Sequence, residues 1–154
     1  MHEFQEGFLI RFSTRSRYGL RLMIQLALSY EERKLLYIKE IAEREGISEK
    51  YLTQIVIPLK AKGLITSRRG SGGGYRLSRH PSQITVREVM EALEGNILPV
   101  DCLEGNTRCE RASFCVARKV WQRVGRKIIE ALEEFTLEDL TKMNQANQMV
   151  EYCI

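Results

Sequence analysis

Three cysteines lie close together in the second half of the chain, in the pattern Cys102-x6-Cys109-x5-Cys115, and a fourth, Cys153, stands alone near the C-terminus. Thiolates are ligands for soft or borderline metals, chiefly zinc and iron–sulphur clusters. The three sit in a polar stretch with Gly, Asn and Glu around them and follow no periodic apolar pattern. That placement suits ligation better than burial as structural thiols. A structural zinc knuckle carries paired Cys-x2-Cys spacing, which is absent, so the wider spacing favours an open, exchangeable cluster. Arg108, Arg111 and Arg118 flank the triplet and offset the negative charge such a group would bring. A disulfide framework is disfavoured, because 154 residues can bury an ordinary core without staples.

The other chemistry-bearing feature is cationic. Lys50, Lys60, Lys62, Arg68, Arg69, Arg76 and Arg79 follow one another with no acidic residue between them. The net charge is only +4, yet residues 1–80 hold 15 Lys+Arg against 8 Asp+Glu, while residues 81–154 hold 9 against 12. This asymmetry suits a molecule that turns one face to a polyanion; a solvated basic face without a partner is the bland alternative. Within the block lies Gly70-Ser71-Gly72-Gly73-Gly74, which lacks the Gly-Lys-Ser/Thr ending or Gly-x-Gly-x-x-Gly turn of a nucleotide loop. The two histidines, His2 and His80, are far apart and read as facing solvent or DNA. No Ser/His/Asp or Cys/His constellation is recognisable, so the chain does not read as an enzyme. No apolar run approaches the roughly 20 residues of a membrane span, and Met1-His2-Glu3-Phe4 opens no signal peptide. The expectation is a cytoplasmic protein.

The elements that must position these residues are mainly α. Ser16 to Tyr30 reads as a helix with an apolar stripe of Leu20, Met23, Ile24, Ala27 and Leu28. A short helix, Ile38 to Glu45, ends at Gly46, and Ser48 caps a third helix, Glu49 to Lys62, that contains Pro58 and should kink or tighten there. This is a helix-turn-helix, its second helix buried through Leu52, Ile55, Val56 and Leu59 and offering Glu49, Lys50, Thr53 and Gln54 outward. Leu64 to Arg68 and Tyr75 to Ser78 form a hairpin with a flexible glycine tip, a wing whose Arg68 and Arg69 can reach a minor groove or its phosphates. The expected DNA contacts are Lys50, Thr53, Gln54, Arg68, Arg69, Gly70, Gly72, Gly73 and Tyr75. Thr85 with Glu88 caps a helix through Leu93, and Thr136 with Asp139 starts a last helix that fades after Met149. Between them a long helix, Cys115 to Glu134, carries a heptad-like seam of Ala117, Trp121, Val124, Ile128, Ala131 and Phe135, widened by Val120, Ile129 and Leu132. Trp121, Val124, Ile128 and Phe135 are the expected dimer contacts, with packing on the same chain as the alternative. The division that follows is a winged helix-turn-helix domain over 10–94, a cysteine loop over 95–114, and a dimerisation helix plus C-terminal helix over 115–154.

These residues resemble a known family. Ser16-Arg17-Tyr18-Gly19-Leu20, Gly46-Ile47-Ser48 with Tyr51-Leu52 and Gln54, Lys62-Gly63-Leu64, Arg69-Gly70-x-Gly72-Gly73-Gly74-Tyr75 and the three cysteines look like the IscR/NsrR/CymR family of bacterial winged-helix transcription regulators. The likeness runs from about Ile10 onward. It implies a homodimer on palindromic double-stranded DNA, with Cys102, Cys109 and Cys115 ligating an iron–sulphur cluster, 2Fe–2S in the nearest branch and 4Fe–4S in some nitric-oxide sensors. Such a regulator would respond to redox, iron or nitric-oxide status. The histidine that serves some members as fourth ligand is here Arg118, which cannot ligate, so Asp101, Glu104, Glu110, Cys153 or a small exogenous thiol are left for that place. The acidic residue that nitric-oxide sensors carry early in the first helix is missing from Arg15-Ser16-Arg17-Tyr18. Thr53 replaces a glutamate of the cluster-binding members, which points to a different operator preference. Thr136-Leu137-Glu138-Asp139-Leu140 is similar to cysteine-metabolism repressors of the CymR kind, which lack the cysteine triplet and the cluster. An iron–sulphur carrier is a further alternative, but it would not need a basic wing.

Overall fold

The computed structural model describes residues 12–105 and 109–152; Met1 to Phe4, His2 among them, Ile10, Arg108 and Cys153, named above, lie outside the described residues. Six helices and one two-stranded sheet make up the described chain: α1 Thr14–Leu28, α2 Ile38–Glu45, α3 Glu49–Ala61, β1 Ile65–Arg68, β2 Gly74–Leu77, α4 Val86–Glu94, α5 Val116–Glu133 and α6 Leu137–Tyr152. It is a winged helix-turn-helix followed by a long helix and a C-terminal helix. Short 3-10 turns at Pro81–Gln83 and Asp101–Leu103 interrupt the connections.

Local chemistry sets the boundaries. Ser13 caps α1 by accepting the Ser16 N–H at 3.2 Å, two residues earlier than the reading of a start at Ser16. α3 ends in a paired 6→1 and 5→2 closure, Leu64 N–H to Leu59 O and Gly63 N–H to Lys60 O, each at 3.0 Å. Leu64 is therefore spent on the helix end, and β1 begins one residue later than expected. Pro58 sits inside α3, where it withholds one backbone donor without ending the helix. The cap of Thr85 with Glu88 forms as read, and so does that of Thr136 with Asp139.

The core lies under the helix-turn-helix. Leu22, Met23 and Leu26 of α1, Ile41 of α2, Leu52, Ile55 and Leu59 of α3, Val89 of α4 and Leu137 of α6 are all buried. The buried face of α1 is thus Gly19, Leu22, Met23, Leu26 and Ala27, one position round from the expected stripe, and Leu20, Ile24 and Leu28 flank it half-buried. Gly19 sits against the Leu93 side chain, which a β-carbon there would strike. The C-terminal helices join this body at one corner: Val86 N–H donates to Phe135 O and Leu137 N–H to Ile84 O, each at 2.9 Å. Arg87 of α4 pairs with Glu91 and with Glu133 at the end of α5.

Glu94 ties α4 to the start of α1, its carboxylate accepting the Ser13 N–H at 2.6 Å. Burial pushes its carboxyl up, but hydrogen bonds from Ser16 and Ser13, with Arg15 nearby, outweigh this and hold it below the ordinary carboxylate range. A carboxylate lowered in this way stabilises the fold above its unfolded pKa, about 4.3, and the contribution disappears as pH falls through the folded value. Glu94→Gln should therefore lower the urea midpoint at pH 7, and the gap from wild type should close on acidification below about pH 4. A gap independent of pH would place the effect in packing alone.

Candidate nucleic-acid interface and cysteine loop

The outward face of α3 carries Glu49, Lys50, Thr53, Gln54 and Ile57, all exposed. Thr53 donates its hydroxyl proton to the Glu49 carbonyl at 2.8 Å, which leaves the methyl group as its outward feature. Ile57, 64% exposed, continues the same face and is missing from the residues expected from sequence. It stands four residues beyond Thr53, so helical spacing alone would have found it. An exposed branched apolar side chain beside Gln54 has the chemistry to meet a thymine methyl.

The wing is a paired hairpin tied back to the segment ahead of α2. β1 and β2 pair antiparallel with Ile65 opposite Leu77 and Arg68 opposite Gly74, and Leu36 adds a bridge to Tyr75 through two backbone bonds of 2.8 and 2.9 Å. The tip closes on itself by Gly73 N–H to Gly70 O at 2.9 Å. A β-carbon on Gly73 would meet the carbonyls of Arg68 and Gly70, and one on Gly74, at φ 130°, would lie 2.7 Å from Leu36 O. These two glycines are demanded by the protein's own backbone rather than by a partner's approach. Gly70 and Gly72 open onto free space. The glycine tip thus takes a defined turn geometry.

A groove of about 470 Å³ separates wing and α3, lined among others by Tyr37, Lys39, Glu49, Lys60, Arg68 and Arg69. Lys60 reaches Ser67 Oγ at 2.6 Å, tying the end of α3 to β1. Tyr37, which sequence reasoning passed over, lends its hydroxyl to the Gly72 N–H at 2.8 Å. The cationic run is not all on this side. Arg79 pairs with Glu88, and Arg76 lines a separate cavity of about 500 Å³ with Arg33, Lys34 and His80. His80 is half-buried: it caps the Pro81–Gln83 turn through Nδ1 and stacks edge-on against Tyr30, a local structural role.

Cys102 lies in the Asp101–Leu103 turn, Cys109 opens a turn closed by Ala112 N–H to its carbonyl at 3.0 Å, and Cys115 is the N-cap of α5. All three are half-buried and free of disulfides. The loop crosses α5 at Gly125, the one buried residue of that helix, where a β-carbon would lie 3.1 Å from Pro99 and 3.7 Å from Leu103. Gly125 stands ten residues beyond Cys115, about 15 Å along the axis. Among the described residues, no three His, Cys, Asp or Glu side chains stand together as a metal-binding group. The fit to a cluster therefore rests on the donor set, three unpaired thiols on one loop. Of the fourth-ligand candidates, Glu104 is engaged by Asn96, while Asp101 and Glu110 are exposed.

The apolar seam of α5 divides in two. Gly125 is buried, and Val124, Ile128, Ile129 and Leu132 are half-buried within the single chain, each leaving part of its surface open. Val116, Val120, Trp121 and Phe135 stay exposed, with Phe114 just ahead of the helix. Among the described residues no helix is long and apolar enough to cross a membrane.

The chain matches the Rrf2 family model, described as an iron-dependent transcriptional regulator, over residues 12–143. It is 39% identical over 133 residues to protein rrf2 of Nitratidesulfovibrio vulgaris, covering 86% of this chain and 88% of that protein. The solved structure of CymR, the global cysteine regulator of B. subtilis, superposes with a TM-score of 0.71 at 38% identity, over 88% of this chain and 98% of that one. T. potens IscR superposes with a TM-score of 0.73 at 35% identity, over 90% and 91%.

Proposed function

The chain belongs to the Rrf2 family of transcription regulators, and from that premise we propose that it is a cytoplasmic homodimer that binds palindromic DNA and senses redox, iron or nitric-oxide status through an iron–sulphur cluster, 2Fe–2S by the resemblance. The observation that carries the DNA-binding part is the exposed polar face of α3, Lys50, Thr53 and Gln54, together with a groove in which the ends of that helix, Glu49 and Lys60, meet Arg68 and Arg69 of the wing. Lys50, Thr53 and Gln54, with Ile57 added, face a major groove; Arg68 and Arg69 reach the flanking minor groove or its phosphates, with Gly70, Gly72, Gly73 and Tyr75 shaping the wing. Trp121, Val124, Ile128 and Phe135 form the dimer contact, extended by Val116 and Val120.

Cys102, Cys109 and Cys115 would hold the cluster, and a bound cluster supplies a centre that oxidation, nitric oxide or iron shortage can alter. The loop's own part is mechanical. It packs across the middle of α5 at Gly125, and α5 is fastened to α4 through Arg87 and Glu133, so a change in loop order bears on the placement of the DNA-binding heads. The likeness to CymR favours a second reading, a cysteine-metabolism repressor without a cluster.

One measurement separates these readings and a second tests the operator binding they share. Anaerobic purification with a visible spectrum and iron count should give a coloured, iron-containing protein; a colourless, iron-free one favours the second reading. Selection from a random duplex pool should return a palindrome, and enrichment of none would overturn the operator-binding reading. On the selected duplex, Arg69→Ala should weaken binding and reduce the slope of log K against log[salt] by about 1 per wing. A slope identical to wild type would mean that the wing does not touch phosphate.

A further inference from the structure

Tyr37 is the N-cap residue of α2, and its backbone N–H is already satisfied by Glu40 Oε2 at 2.9 Å. Its ring is 44% exposed, so core packing does not account for a tyrosine here. The hydroxyl accepts the Gly72 N–H at 2.8 Å across 35 residues of sequence. Gly72 lies at φ 76°, and among the described residues its N–H has no hydrogen-bond partner other than Tyr37. Gly73, by contrast, is held by its N–H bond to Gly70, and Gly74 by its strand pairing with Arg68 beside the Leu36–Tyr75 bridge.

We propose that Tyr37 is the positioning residue of the wing: its hydroxyl latches the tip to the helix-turn-helix and sets the angle at which Arg68 and Arg69 meet DNA. The proposal rests on the DNA-binding reading above. A latched wing has few conformations to lose on binding, whereas a loose one is competent for only part of the time, and its apparent affinity falls by that fraction. The phenol sits in the groove with Lys39, Lys60, Arg68 and Arg69, between the two DNA-facing elements. The ring lines this groove as well, so the role of the hydroxyl has to be separated from that of the ring.

Tyr37→Phe keeps the ring and removes only the acceptor. It should weaken binding to the selected palindromic duplex about three- to tenfold, the worth of one hydrogen bond lost from a positioned group. The unfolding temperature should not change. Amide hydrogen exchange supplies a readout that a purely structural role would not move: the Gly72 amide should exchange about tenfold faster in the variant, while the Gly73 amide stays as in wild type. Unaltered Gly72 exchange or unaltered affinity overturns the latch. Equal acceleration at Gly72 and Gly73 with a lowered unfolding temperature overturns it as well, by showing general loosening. A wild-type protein that protects Gly72 yet binds no duplex overturns the DNA-binding reading, and with it the role assigned to the latch.

Discussion

Val120→Glu combined with Trp121→Glu will leave the chain monomeric and weaken operator binding by about 10²- to 10⁴-fold, the gain normally made when a second linked head binds. Both side chains belong to the half of α5 that its own chain leaves uncovered, with Val120 56% and Trp121 41% exposed. The helix is 18 residues long, about 27 Å, and a strip about 10 Å wide along it offers a footprint of only about 270 Å². A stable dimer needs roughly 800 Å² from each partner. The seam must therefore be the centre of a larger contact, and the exposed Phe114, Val116 and Met143 with the half-buried flank of α1 are the apolar surfaces at hand. Two carboxylates from each chain would meet at that centre in place of apolar side chains, only partly offset by Arg118 and Arg123 one turn away, at a cost that a marginal contact of this size cannot absorb. Because both residues are exposed in the single chain, the winged domain should keep its core and its unfolding profile. Sedimentation equilibrium reads the first effect and a gel shift the second. A variant that remains dimeric would place the interface elsewhere.

The parts that could be read from sequence are those in which one residue type has one physical job. Ser48 before α3, Thr85 with Glu88 before α4, and Thr136 with Asp139 before α6 each announce a cap, and each cap forms. Leu52, Ile55, Val56 and Leu59 follow the helical period and are all buried. Where one pattern admits two outcomes, the reading slipped. The apolar stripe of α1 is wide enough to turn either Leu22 or Leu20 inward, and Gly19 decides it by allowing the approach of Leu93. The glycine run reads as flexibility, but the carbonyls of Arg68, Gly70 and Leu36 fill the space that side chains would need. Tyr37 gave no local signal, since its partner lies 35 residues away in a turn whose shape is set by the wing. The cationic run likewise concealed a split, with Arg79 paired to Glu88 and Arg76 facing a different cavity.

Replacing Cys102, Cys109 and Cys115 together with alanine will remove the visible absorbance and iron of the anaerobically purified protein and shift operator affinity by about 5- to 150-fold, the usual span of coupling between two sites. The expectation has two independent supports. The thiols are half-buried, unpaired and carried on one loop, which is a donor set suited to iron and sulphide and a poor choice for an ordinary core. The loop is also mechanically placed to matter. It lies over Gly125 through Pro99 and Leu103, and Cys115 is itself the cap of the helix that carries the exposed seam. A cluster held by these thiols would bias how Pro99 and Leu103 lie on α5, and α5 joins the winged domain through Arg87 and the Phe135–Val86 and Leu137–Ile84 backbone bonds. The direction of the affinity shift then states which arrangement favours DNA. Alanine at these positions removes only half-buried sulfur from a loop in which none of the described residues is buried, so the winged domain should unfold at its usual temperature. A triple variant with the iron content, colour and operator affinity of wild type would sink the sensing reading. A wild type already colourless and iron-free, with affinity unchanged in the variant, would instead favour the cluster-free repressor.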